Sequence, residues 1–286
     1  TALEDGPEGG SSCFASLYVK YIEAAGGRVA PILYDASDDD IAQIFTSVNG
    51  LFFTGGVVNI RHAQESAAAS QYLHAASLLF NMTVATNDAG VHMPLWGTCM
   101  GFQTLSILAA GDASVLETYA FEAEDLSLPL ELTSAARESR LLGKDSVPPK
   151  VLRWLTMENL TSNLHHDGVA PESFAANQHL AAFFSVLSTN RDRRGRPFAS
   201  TIEGRRHPVF AVQWHPERSI FEWDSDEGGI NHSAHAVEAM QFFANFFISE
   251  ARKNQHRFPS AAEERAALIY NYLPQGRTSY QAYVFP

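Results

Sequence analysis

The stretch P-L-W-G-T-C-M-G-F-Q-T-L, Pro94 to Leu105, decides how this chain is read. A short apolar run ends in Gly97, Cys99 and Gly101 and then takes on helical character, the outline of a nucleophile elbow. In such an elbow a strand enters a helix through a turn so tight that the residues two before and two after the nucleophile have to be very small. The apex residue, Cys99, is then raised at the carboxyl end of the sheet, with the N-terminus of the following helix pointing at its sulfur. Taken alone, the motif also fits a small buried cysteine in a glycine-rich turn.

Further along, H-P-V-F-A-V-Q-W-H-P-E runs from His207 to Glu217. Residues 209 to 214 predict a strand that ends at His215, because Pro216 cannot donate to a sheet ladder. His215 and Glu217 are two apart on an extended segment and are expected on one face. A cysteine nucleophile needs an imidazole to take its proton, and the imidazole needs a carboxylate to fix its tautomer. Cys99, His215 and Glu217 supply the three.

Together G-T-C-M-G-F-Q and Q-W-H-P-E resemble the class I glutamine amidotransferase superfamily, and more closely the gamma-glutamyl hydrolase family. Y-V-K-Y-I-E-A-A-G-G-R-V from Tyr18, V-N-G-L-F-F-T-G-G to Gly56, F-E-W from Phe221, S-E-A-R-K-N from Ser249 and A-L-I-Y-N-Y from Ala267 fit the hydrolases as well. The last three are not shared with typical amidotransferase domains. The resemblance runs from Ser12 to the C-terminus. It implies an α/β fold of three α/β/α layers, flavodoxin-like, with a mostly parallel central sheet and a C-terminal extension. It implies hydrolysis of gamma-glutamyl peptide bonds, as in poly-gamma-glutamyl folates, through a thioester on Cys99 with His215 as base and Glu217 as its orienting group. It singles out His165, in N-L-H-H, as a histidine near the substrate, with Gln103 and Gly55 as further substrate contacts. No cofactor is required, a homodimer is the expected assembly where one forms, and the implied location is a lysosome, a vacuole or the extracellular space.

Two features depart from that pattern. The hydrolases usually carry Glu where this chain has Gln103, whereas amidotransferases commonly carry Gln, so a glutaminase subunit feeding ammonia to a synthetase is the rival reading. A binding protein with a dead elbow is disfavoured because all three catalytic residue types are present. The hydrolases also begin with an apolar strand ahead of a helix near Ser12, and residues 1 to 11, polar and glycine-rich, read instead as a flexible lead-in. The sheet is then completed differently, or that strand is not part of this sequence.

The chain has 286 residues, 45% of them hydrophobic, enough for one large domain over residues 12–286. A net charge of −12 disfavours nucleic acid or an anionic membrane as partner, and no apolar run reaches the roughly 18 residues that cross a bilayer. Cys13 and Cys99 are the only cysteines, so no disulfide framework marks a compartment. The sequons at Asn81, Asn159 and Asn231 are glycosylation candidates compatible with secretion.

In chain order, residues 13–25 predict a helix with Phe14, Leu17, Tyr18, Tyr21 and Ile22 on one face, Val29–Leu33 a strand, 38–48 a helix, Leu51–Phe53 a strand and 61–80 a helix leading to the elbow. This alternation predicts a parallel sheet covered on both faces. Loops at the carboxyl ends of its strands gather the site, so the N–H groups of Gly56 and Met100 are the expected oxyanion hole. Leu128–Leu132 and Phe198–Glu203 predict strands, Val151–Met157 a helix, 231–253 a long amphipathic helix, and 266–286 two short strands. His165 and His166 lack carboxylates or cysteines at ligand spacing, so no metal is expected. Arg191, Arg193, Arg194, Arg196, Arg205 and Arg206 read as a solvated turn, a role toward an anionic substrate being the lesser alternative.

Overall fold

The computed structural model describes residues 12–223, 226–276 and 281–285, so the expected lead-in lies outside the described residues. The elements in order are β1 (Ser12–Ala15), α1 (Ser16–Ala24), α2 (Asp38–Phe45), β2 (Leu51–Phe53), α3 (Ala67–Asp88), β3 (Leu95–Thr98) and α4 (Met100–Ala110). There follow β4 (Ala123–Leu128), β5 (Glu131–Leu132), α5 (Pro149–Met157), β6 (Thr161–His165), α6 (Pro171–Ala176), α7 (Gln178–Phe183), β7 (Phe184–Arg191), β8 (Pro197–Gly204) and β9 (Val209–Val212). The chain closes with α8 (Arg218–Phe221), α9 (Ala234–Ala251), α10 (Ala261–Ala267), β10 (Pro274–Gly276) and β11 (Gln281–Phe285).

The central sheet has the order β2-β3-β9-β8-β7-β5. It is mixed: β2, β3 and β9 run parallel, while β8, β7 and β5 continue antiparallel. The three layers follow from the pleat, which sends alternate residues of each strand to opposite faces. On β3 and β9, Leu95, Val209 and Ala211 join Tyr72, Leu79 and Phe102 of α3 and α4 in one core. Trp96, Phe210 and Val212 join Tyr21, Phe243 and Phe247 of α1 and α9 in the other. Strands buried on both faces have no polar side, which is why they read as continuous apolar runs.

Several sequence expectations are corrected. Residues 13–25 are not one helix, because Ser12–Ala15 is drawn into a strand against the tail, Ser12 opposite Phe285 and Ala15 opposite Ala282, with Phe14 stacked on Phe285. Val29–Leu33 forms no strand: Pro31 interrupts it, and the Val29 carbonyl accepts from Ile269 N at 2.9 Å. The helix expected over 61–80 starts at Ala67, where the Ser66 hydroxyl caps it, and runs on to Asp88. Leu128–Leu132 is divided at Pro129 into β4 and β5, which join different sheets. The 209–214 strand ends at Val212, whereas the tail forms the two short strands expected, β10 and β11, after α10.

Among the described residues β2 pairs with β3 alone. Beyond its free edge a cavity of about 830 Å³ opens in the sheet layer, lined by Val29, Leu33, Leu51, Phe53, Tyr72 and Phe247. The strand that directly precedes α1, β1, pairs with β11 and not with β2.

Candidate active site

Cys99 sits between β3 and α4 with φ 52° and ψ −106°, a conformation costing a residue with a side chain about 1–3 kcal/mol. The surroundings enforce it. Cys99 N–H donates to the Val212 carbonyl at 2.9 Å and its carbonyl accepts from Gln103 N at 3.0 Å, so the turn is pinned on both sides. The flanking glycines are sterically required. A Cβ on Gly97 would come within 2.7 Å of the Gly101 carbonyl carbon, and one on Gly101 would overlap the Phe53 carbonyl oxygen on β2.

The chain after β9 bends rather than staying extended. His215 N–H donates to the Ser162 carbonyl of β6 at 2.8 Å, and Glu217 is already helical at φ −73°, ψ −26°. The expected shared face on an extended segment is therefore replaced by a turn that folds the two side chains together. His215 Nδ1 lies 2.7 Å from Glu217 Oε1, with both residues buried. Burial by itself would pull the imidazole down, but the Glu217 carboxylate and then Cys99 outweigh it and hold His215 at about 9. Both side chains border one spot, since a Cβ built on Gly55 would meet His215 Cε1 at 3.0 Å and Cys99 Cβ at 3.5 Å. The three candidate catalytic residues thus converge, from a strand–helix turn and a strand end.

Gly55 closes the other side. Its Cβ position would lie 2.5 Å from Tyr18 Oη, 3.0 Å from His215 Cε1 and 3.5 Å from Cys99 Cβ, so only glycine fits there. Its N–H donates to Tyr18 Oη at 3.0 Å and is occupied by the protein itself. The candidate donors for a substrate oxygen are then Gly56 N–H and Met100 N–H, the latter among the unsatisfied amides that open a helix.

His165 ends β6 and is buried between Phe121 and Phe198, ring centroids 6.4 and 4.8 Å away. Its Nδ1 donates to the Asp167 carbonyl at 2.9 Å, which fixes the tautomer and leaves Nε2 as an unpartnered buried acceptor. Burial, partly offset by that bond, brings the ring down to about 3, and His215 is among the charges it senses. Gln103 does not reach out toward a ligand with its amide nitrogen: Nε2 donates to the same Asp167 carbonyl at 3.0 Å and lies 3.4 Å from Gln213 Oε1. Gln103 therefore steadies the loop that orients His165. A glutamate in its place could not donate this bond when ionised.

Sequence reasoning missed Tyr18, Asp167, Arg218 and Glu222. Tyr18 was recognisable only as a core face residue and Glu222 only as part of F-E-W; their contacts with the site are long-range. The arginine run is tied to the 117–125 segment, Arg194 Nε to Glu122 at 3.0 Å, Arg196 to Glu117, and Arg193 to the Glu124 and Asp125 carbonyls. Asn81 and Asn159 are exposed, whereas Asn231 is half-buried and donates to the Asn159 carbonyl at 2.8 Å.

Residues 4–217 match the family model described as Peptidase C26. Mouse gamma-glutamyl hydrolase is 40% identical over 280 residues, covering 96% of this chain and 84% of the mouse protein. Human gamma-glutamyl hydrolase is 39% identical over 260 residues, 91% and 77% of the two chains, and gamma-glutamyl hydrolase B of Dictyostelium discoideum is 37% identical over 93% and 73%. Among solved structures, a GMP synthase-type protein from Thermoplasma acidophilum superposes with a TM-score of 0.51 at 13% identity, covering 88% of this chain and 92% of that one. That likeness concerns the fold.

Proposed function

Because the chain belongs to the peptidase C26 family, with gamma-glutamyl hydrolases as its relatives, we propose that it hydrolyses gamma-glutamyl peptide bonds at Cys99, His215 and Glu217. The observation that carries this is the convergence of a strained elbow cysteine with an imidazole held 2.7 Å from a buried carboxylate.

The Cys99 proton passes to His215, and the sulfur attacks the gamma-carbonyl carbon. Negative charge gathering on the carbonyl oxygen is met by the N–H groups of Gly56 and Met100. His215, held as imidazolium by Glu217, gives its proton to the leaving amine as the C–N bond breaks, leaving a thioester on Cys99. Water then attacks the thioester, His215 takes its proton and returns it to the sulfur, and the gamma-carboxyl product leaves. No cofactor enters any step.

His165 presents a bare Nε2 acceptor from a neutral ring, which suits a substrate N–H donor such as an amide or an α-ammonium group. Gly55 shapes the floor beside Cys99, and Gln103 acts through Asp167. Poly-gamma-glutamyl folates are the substrate class we favour, residues 12–286 acting as one domain, alone or as a homodimer, in a lysosome, a vacuole or outside the cell. The sequons at Asn81 and Asn159 support that location by their exposure. The test is incubation with a gamma-linked oligoglutamate conjugate, following glutamate and shortened chains. No cleavage by protein that is folded would overturn the reading.

A further inference from the structure

Beside the dyad lies a buried charge cluster that the steps above do not use. Arg218 follows Glu217 directly. Its Nη1 lies 2.9 Å from Glu222 Oε2 and 2.6 Å from Glu227 Oε2, while its Nε stands 4.0 Å from Glu217 Oε1. The contact with Glu227 is a directed hydrogen bond; the one with Glu222 is an ion pair whose N–H direction misses the oxygen. Arg218 Nε and Glu217 Oε2 make no hydrogen bond among the described residues. Glu217 and Glu222 are almost fully buried, 0% and 1% exposed.

Two cations therefore flank one carboxylate. His215 holds Glu217 Oε1 at 2.7 Å, and Arg218 waits 4.0 Å from that oxygen with an unused N–H. A guanidinium that is free to turn is the stronger partner, because its planar fork can take both carboxylate oxygens at once. What restrains it is on its far side: the turn of α8 places Glu222 four residues on, over Arg218, and Glu227 closes the same end.

We propose that Glu222 is a positioning residue of this site, holding Arg218 off Glu217 so that Glu217 stays with His215. The inference rests on the assignment of Cys99, His215 and Glu217 made above. Without the Glu222 carboxyl only Glu227 holds Arg218 on its far side, the guanidinium is drawn toward Glu217, the imidazolium loses part of its partner, and His215 releases its proton at lower pH. The groups facing this cluster are Tyr18 and Tyr21 of α1, Cys99 of the elbow, His165 at the end of β6, His215, Glu217 and Glu227. Glu222 itself is pushed up to about 7, by burial above all, with Arg218 opposing and Glu227 and Glu217 adding. Its protonated form still offers a carbonyl oxygen to Arg218, so the restraint persists in acid.

The test compares four proteins on a gamma-linked oligoglutamate across the acid to alkaline range: wild type, Glu222→Ala, Glu222→Gln and the double variant Arg218→Met with Glu222→Ala. Glu222→Ala should lose about 10- to 100-fold in kcat with KM changed by less than about twofold, and its alkaline limb should move down by about one pH unit. Glu222→Gln, which keeps an acceptor oxygen, should lose only about threefold. The double variant should recover most of the lost kcat, since the competitor is gone. A double variant no better than Glu222→Ala, or a Glu222→Ala limb at the wild-type pH, overturns the proposal in favour of a purely structural role. If Glu222→Ala does not fold, Glu222→Asp, shorter by one methylene, replaces it with the same expected pattern. Glu217→Gln is run alongside: a wild-type rate there would sink the dyad assignment itself, whatever the Glu222 variants do.

Discussion

His165 and His215 are both buried, yet their rings are driven in opposite directions. His165 has aromatic walls and a carbonyl, so burial takes it down to about 3; His215 has Glu217 and Cys99, which hold it at about 9 against the same burial. Separation of paired titratable groups by their surroundings is how an acid and an acceptor are kept distinct in one site. Below its unfolded value near 6.5, His215 contributes its full stabilisation, which is lost as pH rises through about 9. His165 has the reverse sign: the unfolded ring takes a proton below about 6.5 and the folded one does not until about 3, so stability falls as pH drops through that window. On the proposed mechanism, the His215 imidazolium that would protonate the leaving amine persists until about pH 9, and the neutral His165 ring persists down to about 3. A kcat/KM profile should therefore keep its activity through the mildly acidic range and fall on an alkaline limb near pH 9; a limb below about pH 7 would contradict the assignment. Cys99→Ala should reduce turnover by about 10⁴-fold or more while leaving the thermal midpoint close to wild type, because Ala suits the site sterically. His215→Asn should cost a similar factor. Activity of either variant within tenfold of wild type would remove the thioester route.

At the scale of elements, the elbow joins β3 to α4 by contact between glycines and a neighbouring strand. Gly101→Ala drives a methyl into the Phe53 carbonyl of β2, whose backbone cannot move without disturbing β3, and should cost about 1–3 kcal/mol of unfolding free energy. Denaturant titration reads this, and an unchanged midpoint would show that β2 yields. The elbow was legible in G-T-C-M-G because its requirement is local: the spacing of glycines around Cys99 is the steric rule written in residues. His215 and Glu217 were legible as neighbours for the same reason, although a turn, not an extended strand, brings them together. What escaped was decided far away in the chain. Ser12–Ala15 carries helix-like apolar spacing and becomes β1 only because β11 lies alongside it. Val29–Leu33 has strand composition but an interrupting Pro31, and a strand needs a partner as well as propensity. The antiparallel half of the sheet was hidden because β7 and β8, buried on both faces in places, carry no signal of direction. Gln103, which the family resemblance marks as a substrate contact, sits one turn past Cys99 and donates its amide nitrogen to the Asp167 carbonyl, a long-range contact that residue spacing does not reveal.

For the molecule as a whole, the choice between a hydrolase and an ammonia-supplying glutaminase rests on how the extension after residue 231 is built in. α9 lays Phe243 and Phe247 against Trp96 of β3, and Phe243 against Trp214 just past β9, and Tyr21 Oη donates to the Met240 carbonyl at 2.9 Å, so this helix is part of the main core. β11 then captures β1 directly ahead of α1, the helix that carries Tyr18 to Gly55. The extension thus connects to the candidate site through two steps of packing, which supports the hydrolase reading. In the basic run, Arg194 and Arg196 pair with Glu122 and Glu117, and Arg193 donates to the Glu124 and Asp125 carbonyls, so these side chains are tied to the 117–125 segment. On the proposed reading an anionic chain is recognised at its reacting end, where the Gly56 and Met100 N–H groups and the His165 acceptor are the candidate contacts. From this we expect the polypeptide alone to release glutamate or short glutamyl chains from gamma-linked peptides, with free glutamine hydrolysed at least about 100-fold more slowly by kcat/KM, because glutamine offers no peptide N–H beyond the scissile bond to share with the site. Parallel assays of glutamate and ammonia release decide it. Strong glutaminase activity without cleavage of gamma-linked oligoglutamate would reverse the assignment and make Gln103 the first residue to exchange for glutamate.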